Sequence, residues 1–171
     1  RDQDTANMAI QAALTGHLIL STLHTNDAPS SLTRLHDLGV QPFLTAATIL
    51  GVLAQRLVRQ LCPHCKQESF LNEQEWQHLA TDYPLPRPEF VFKAVGCEEC
   101  RHTGYKGRIG IYEFMPLSLT TKQLIGANAN LNELRQQAKK EGVEPLRIAG
   151  ARKILEGVTT LEEVLRVVPL N

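Results

Sequence analysis

The chain has 171 residues, 18 of them basic and 18 acidic, with 43% hydrophobic and 21% charged side chains. That composition can bury a core and excludes a chain disordered along most of its length, and the size suits one domain or one domain plus a small module. A net charge of zero argues against wrapping nucleic acid or lying on an anionic membrane, since both draw their affinity from a cationic excess.

The chain opens with Arg1-Asp-Gln-Asp-Thr, without Met or an apolar leader, and reads as a piece of a longer protein. Asp4 or Thr5 can cap a helix over residues 5–15, where Met8, Ala9, Ala12 and Ala13 recur at helical spacing and Gly16 offers a left-handed stop. Residues 17–24, His-Leu-Ile-Leu-Ser-Thr-Leu-His, are apolar on both alternating faces, as expected of a strand buried between helix layers. Asp27 then caps a helix with Pro29 in its first turn and Leu32, Leu35 and Leu38 as its apolar stripe, ending at Gly39. Pro42 opens another, predicted to carry Phe43, Ala46, Ala47, Leu50, Ala54 and, at its limit, Leu57 on one side. Helix, strand, helix is a fragment of an α/β layer fold. The most apolar run, residues 46–54, falls far short of the roughly 18 to 20 residues that cross a bilayer.

From Cys62 the texture changes. Two Cys pairs bracket an insert with a short helix, capped by Asn72 and Glu75, and a Pro-rich loop, Pro84-Leu-Pro-Arg-Pro88. Trp76, Leu79 and Ala80 lie at helical spacing there and form a packing face or, failing that, a docking patch. Residues 90–95 and 108–115 read as short strands flanking the second pair. The tail from Leu119 is predicted to be helical, with capping boxes at Asn130 with Glu133 and Thr160 with Glu163, a start at Pro145 and a stop at Gly157.

All four cysteines fall in the pairs Cys62-Pro-His-Cys65 and Cys97-Glu-Glu-Cys100, with 31 residues between them. Each tight turn presents two corners of a tetrahedron, so together they supply four-coordinate zinc. Disulfides or a redox dithiol are the competing readings. His64 is then a solvated residue inside the knuckle, because four sulfurs already fill the shell. Such a zinc keeps no open position for water, so it holds the fold and does not catalyse.

A lone His in a strand is more often structural than catalytic, but His24, Thr25 and Asn26 fall beyond the carboxyl end of the expected strand, where α/β sheets bind ligands. His17 opens the same strand about 20 Å away at 3.3 Å per residue. Here the sequence resembles a known family. Thr15-Gly-His17-Leu-Ile-Leu-Ser-Thr-Leu-His24-Thr-Asn closely resembles the His box of the secretion ATPases that power type II secretion and type IV pilus assembly. Arg1-Asp2 resembles the end of that family's Walker B segment. Leu53-Ala-Gln-Arg-Leu-Val-Arg59 followed by Cys62-Pro-His-Cys65 resembles its approach to a tetracysteine module, and Gly104-Tyr-Lys-Gly-Arg-Ile-Gly-Ile-Tyr-Glu113 and Leu161-Glu-Glu-Val-Leu-Arg166 its C-terminal signatures.

The resemblance implies an α/β fold: a truncated RecA-like (P-loop NTPase) segment over 1–61, an inserted tetracysteine zinc module over 62–103 and a strand plus helical subdomain over 104–171. It implies a cytoplasmic homo-hexameric motor in the parent protein, with ATP and Mg2+ bound upstream, working on inner-membrane platform proteins and not on nucleic acid. By the same resemblance His24 and His17 are His-box residues that sense nucleotide, and Arg56 and Arg59 meet a neighbouring subunit or nucleotide, with a local salt bridge as the competing reading. Cys62, Cys65, Cys97 and Cys100 hold structural Zn2+. Leu50-Gly-Val-Leu-Ala-Gln leans toward the secretion branch.

The chain contains no Gly-x-x-x-x-Gly-Lys-Ser/Thr loop; Gly104-Tyr-Lys-Gly-Arg-Ile-Gly lacks the Lys-Ser/Thr ending and precedes a strand, so its glycines shape a turn and a close strand contact. This stretch alone is therefore expected not to hydrolyse ATP. The rival reading is a stand-alone zinc-ribbon binding module for nucleic acid or protein. The cluster Arg101-His-Thr-Gly-Tyr-Lys-Gly-Arg108 would serve it, although Glu98 and Glu99 adjoin that cluster.

Overall fold

The computed structural model describes residues 2–81 and 83–169. In chain order the elements are α1 (Gln3–Leu14), α2 (Ala28–Asp37), α3 (Pro42–Thr48), β1 (Gly51–Leu61), β2 (Gln67–Ser69), α4 (Glu73–Leu79), β3 (Val91–Lys93), a 3-10 turn over Glu98–Cys100, β4 (Tyr105–Pro116), α5 (Leu119–Gly126), α6 (Leu131–Lys140), α7 (Leu146–Leu155) and α8 (Leu161–Val167). The fold is mixed α/β. β1 pairs with β4 and β2 with β3, each as a two-stranded sheet. The β2–β3 pair is antiparallel, with Gln67 opposite Lys93 and Ser69 opposite Val91.

Two compact units are present. The first comprises residues up to Ala54 with Glu113–Glu144. In it α3 packs on α1, α2 and α5, and α6 on α2 and α5, around Leu32, Thr45, Met115, Ile125 and Leu134, all essentially without exposure. Caps fix where its helices start. The Asp2 side chain accepts the Thr5 N–H for α1, Asp27 accepts Ser30 N–H for α2, and Asn130 with Glu133 forms a complete capping box for α6. Ser118 caps α5 while its hydroxyl donates to Glu141 at the end of α6, a carboxylate that also accepts from Thr121 and Gln137. Burial raises the Glu141 pKa, but the donors from Ser118, Gln137 and Thr121 outweigh it and hold it below its usual value.

The second unit comprises Gln55–Tyr112 and the chain from Pro145 onward. Helix α7 packs against α8, α4 and β3, over Val58, Leu79, Ile111, Ile148, Ile154 and Val164. Trp76 and Leu79 are buried, so the apolar stripe of α4 is a packing face. Arg147 of α7 fastens that helix at its C-terminal end by donating to the carbonyls of Leu79 and Thr81, with its guanidinium 5.4 Å from the Tyr83 ring centroid.

Several sequence expectations differ from the structure. Helix α1 starts at Gln3 with Asp2 as its cap, in place of Asp4 or Thr5, because Asp2 is the carboxylate that reaches the Thr5 N–H. Residues 17–25 form neither helix nor strand and are mostly exposed, with Leu18 at 74% and Leu20 at 89%. A strand satisfies its backbone only against a neighbour, and among the described residues no strand pairs with this segment. The helix opened by Pro42 ends at Thr48, and Ala54 and Leu57 lie in β1. Ala54 and Val58 are buried, a spacing of four that places two residues on one side of either a helix or a strand. Gly51 and the β-branched Ile49 and Val52 favour the extended form.

Helix α7 approaches α8 so closely at Gly150 that an added Cβ would stand 2.5 Å from Val164 Cγ1. Alanine gains about 1 kcal/mol in helix propensity, but overpacking against a short branched side chain costs about 1 to 3 kcal/mol. Gly150→Ala is therefore expected to lower the melting temperature, and unchanged or raised melting would show that α7 and α8 separate freely.

Candidate functional site

The four cysteines converge, although 31 residues separate the two pairs in the chain. None forms a disulfide, and their Sγ atoms lie within 4.8 Å of one another, so they could hold a metal ion. Cys62 to Cys97 is 3.9 Å, Cys65 to Cys100 3.8 Å and Cys97 to Cys100 3.8 Å. A tetrahedral ion with metal–sulfur bonds of about 2.3 Å needs sulfur–sulfur edges of about 3.8 Å, so the donor set fits zinc in type, number and spacing.

Each knuckle is built by its backbone. The first turns back through Cys65 and Lys66 N–H groups donating to the Cys62 carbonyl, and Cys62 N–H donates to the Gly104 carbonyl. The second runs through the 3-10 turn into Arg101 and His102, both left-handed at φ 53° and 60°, which lets His102 N–H reach the Cys97 carbonyl at 2.8 Å. Gly104 must be glycine: its φ is +77° and a Cβ would lie 2.5 Å from Ala94 Cβ. It is the turn and close contact expected from the sequence, and its N–H points at sulfur.

Sulfur is then met by amides. Gly96 N–H donates to Cys65 Sγ at 3.3 Å, and Cys97 and Gly104 N–H both donate to Cys100 Sγ at 3.2 Å. Burial raises the Cys100 pKa, but the two amides together with the neighbouring Cys65 and Cys97 side chains more than offset it and bring it down to about 6. Burial pushes Cys65 up to about 11. Amide donors of this kind orient metal-bound thiolates. His64 is exposed and outside the cluster. Of the neighbouring basic residues, Lys106 pairs with Glu99 at 3.4 Å, and Arg101 and Arg108 are exposed.

His17 and His24 are both exposed. The His17 Nδ1 lies 3.0 Å from Thr15 Oγ1 and 3.3 Å from the Ala12 carbonyl, tying it to the end of α1. The segment after His24 is held more firmly. Thr25 Oγ1 lies 2.7 Å from Ser31 Oγ, Ala28 N–H donates to the buried Glu113 at 3.0 Å, and Ser30 N–H donates to Asp27 at 2.8 Å. Pro29 has no N–H, so the first turn of α2 has its donors already engaged and offers none to a phosphate.

Arg56 donates to the Gln55 carbonyl at 3.1 Å. Arg59 is engaged locally. Its Nε and Nη2 grip Glu163 Oε2 at 2.9 and 2.7 Å, its N–H donates to Oε1 at 3.0 Å, and its guanidinium carbon stands 4.0 Å from the Tyr105 ring centroid. Arg166 holds the same carboxylate at 2.9 and 2.7 Å, and Tyr105 Oη lies 2.9 Å from Thr160 Oγ1. The Glu163 side chain has no exposure. Burial raises its pKa, but donors from Arg166 and Arg59 bring it down to about 2. The sequence assigns Glu163 to a capping box with Thr160. Only half of that box forms, Glu163 N–H donating to Thr160 Oγ1, because two guanidinium groups outcompete one backbone N–H for the carboxylate. The cap at Asp27 is read from the sequence, but its pairing with Arg135, that of Glu113 with Ala28 and that of Tyr105 with Thr160 are not, since those partners lie many tens of residues apart.

A family model described as type II/IV secretion system protein matches residues 1–166. The type IV pilus assembly ATPase TfpB of Acinetobacter baylyi is 77% identical over all of this chain, the match covering 29% of that protein. Type II secretion system protein E of Pseudomonas aeruginosa is 49% identical over 98% of this chain and 33% of its own length. The type IV pilus assembly ATPase PilB of Myxococcus xanthus is 44% identical over 96% and 29%. The chain thus spans a third or less of each of these three relatives. A crystal structure of the pilus retraction motor PilT with bound ADP has the same fold, with a TM-score of 0.64 at 20% identity over 99% of this chain and 37% of that one.

Proposed function

The chain belongs to the type II/IV secretion system protein family, and from that premise we propose that it is the C-terminal portion of a hexameric ATPase that drives type IV pilus assembly or type II secretion. One observation carries this reading: 77% identity over the whole chain to a type IV pilus assembly ATPase. The same figure, against 49% for a type II secretion protein, favours the pilus branch over the lean of Leu50-Gly-Val-Leu-Ala-Gln. In this reading residues 1–61 complete a RecA-like core, 62–103 form the zinc module and 104–171 the C-terminal subdomain. The motor is cytoplasmic and meets the inner membrane through platform proteins; among the described residues no helix is long and apolar enough to cross a membrane.

Cys62, Cys65, Cys97 and Cys100 hold Zn2+, which staples the module and, with four sulfurs bound, leaves no site for water. ATP and Mg2+ bind through parts of the parent that supply the phosphate loop. His24 senses the γ-phosphate or a subunit boundary, in either protonation state, and His17 anchors the start of that segment on α1. Of the two arginines, Arg56 is assigned to a neighbouring subunit's carboxylates or nucleotide, because the fork of Arg59 is already closed on Glu163.

Steady-state phosphate release tests the proposal. The 171-residue piece is expected to release none above buffer, having no phosphate-cradling loop, whereas a parent extended upstream hydrolyses ATP and loses most of that rate with His24→Ala. Hydrolysis by the isolated piece, or an inactive extended parent, overturns the reading. Salt-dependent binding of the piece to DNA or RNA would instead support the zinc-ribbon module as its function.

A further inference from the structure

We infer that Arg135, on α6, is a positioning residue that holds the 24–27 segment in place for nucleotide sensing, an inference that rests on the role proposed for His24. Asp27 is the joint. It caps α2 immediately after His24, Thr25 and Asn26, and both of its carboxylate oxygens are committed. Oδ1 accepts the Ser30 N–H at 2.8 Å and the Ser30 hydroxyl, and Oδ2 accepts Arg135 Nε at 3.0 Å and Nη2 at 2.6 Å. A cap held only by its own helix can swing with the preceding loop. One gripped from a second helix, 108 residues further on, cannot, and charge-assisted donors of this kind are the strong ones.

Three ties therefore fix the chain between His24 and α2: Thr25 to Ser31, Asp27 to Ser30 and Arg135, and Ala28 to Glu113. Thr25 to Ser31 and Asp27 to Ser30 are local and would survive any loosening of α2 as a body. Two ties reach in from elsewhere, Glu113 of β4 onto Ala28 and Arg135 of α6 onto Asp27, the residue nearer His24, and α6 packs directly on α2. The pair is partly open to water, with side-chain exposures of 47% for Arg135 and 22% for Asp27, so its loss should loosen the segment without unfolding the unit. Burial raises the Asp27 pKa, but Ser30 and Arg135 outweigh it, keeping the carboxylate ionised at neutral pH.

The test uses the full-length parent ATPase and two readouts: steady-state ATP hydrolysis, and hydrogen exchange of peptides covering residues 18–30 against those covering α5. Arg135→Ala is expected to lower kcat about tenfold with KM for ATP within about twofold, and to speed exchange in 18–30 but not in α5. Arg135→Lys, which keeps the charge and loses the fork, should fall between. Added to His24→Ala, Arg135→Ala should cost nothing further, because both act through one side chain. Unchanged exchange in 18–30, or losses that multiply in the double variant, overturns the inference. A His24→Ala parent that turns over normally removes the sensor role instead, and the exchange result then decides alone whether Arg135 holds the segment.

Discussion

Stripping zinc with EDTA, or replacing Cys97 with Ser, will unfold the knuckle region. Binding of structural zinc is coupled to folding and is worth on the order of 10 kcal/mol in small zinc modules. Apart from α7 against β3 and the Lys66 reach to the Gly157 carbonyl, little else holds this region. β2 and β3 are three residues each, Phe70 is 96% exposed, and the second knuckle carries two consecutive left-handed residues, Arg101 and His102, each strained without glycine. The amides of Gly96, Cys97 and Gly104 point at sulfur and have no reason to stay there once thiolates become thiols. Exchange in residues 62–69 and 96–106 should rise by orders of magnitude. Peptides in α4 should change less, because Trp76 and Leu79 are buried and Arg147 clamps the helix to α7. Metal content measured alongside should fall from one zinc per chain to none. A fold indifferent to both treatments would remove the zinc assignment.

Glu163→Ala will cost about 1 to 3 kcal/mol, the scale of losing a buried, multiply hydrogen-bonded acceptor whose two arginine partners stay half-exposed. The carboxylate is wholly buried and accepts from Arg59, Arg166 and the Arg59 backbone. Its removal leaves two half-exposed guanidinium groups without their carboxylate and the part-buried Arg59 N–H without that acceptor. The pH dependence follows from the lowered pKa, about 2 in the folded chain against an ordinary 4.5. The unfolded chain takes up the proton first, so this contribution is complete above pH 4.5 and is lost as pH falls from there toward 2. Urea unfolding of the second unit at pH 7 and pH 3 should show the wild type losing stability that Glu163→Ala has already lost, and Glu163→Gln should lie between. A variant with wild-type acid sensitivity would show that other carboxylates govern it.

Local chemistry was legible in the sequence: the caps at Asp27, Asn72 and Asn130, the Gly157 stop, the apolar face of α4, and above all the cysteine spacing. Each of those signals lies within a few residues and needs no partner elsewhere. The 17–24 run failed for the opposite reason, since an apolar segment becomes a strand only beside another strand. The helix expected past Thr48 failed because a spacing of four satisfies both periods. Glu163 was seen, but as a cap. Of its partners Arg166 lies three residues on, but Arg59 and the backbone of β1 sit 104 residues upstream, and no local pattern can announce that pairing.

That separation also orders events during synthesis. Leu61 N–H donates to the Val158 carbonyl, Thr159 to the Arg59 carbonyl and Lys66 Nζ to the Gly157 carbonyl, so the turn between α7 and α8 is gripped by residues made far earlier. Ribosomes add about 5 to 20 residues per second, so Arg59 waits roughly 5 to 20 s for Glu163, 104 positions later. β4 and Tyr105 emerge about half-way through that interval and give β1 its strand partner and Arg59 its ring, whereas the carboxylate that closes the guanidinium fork comes last.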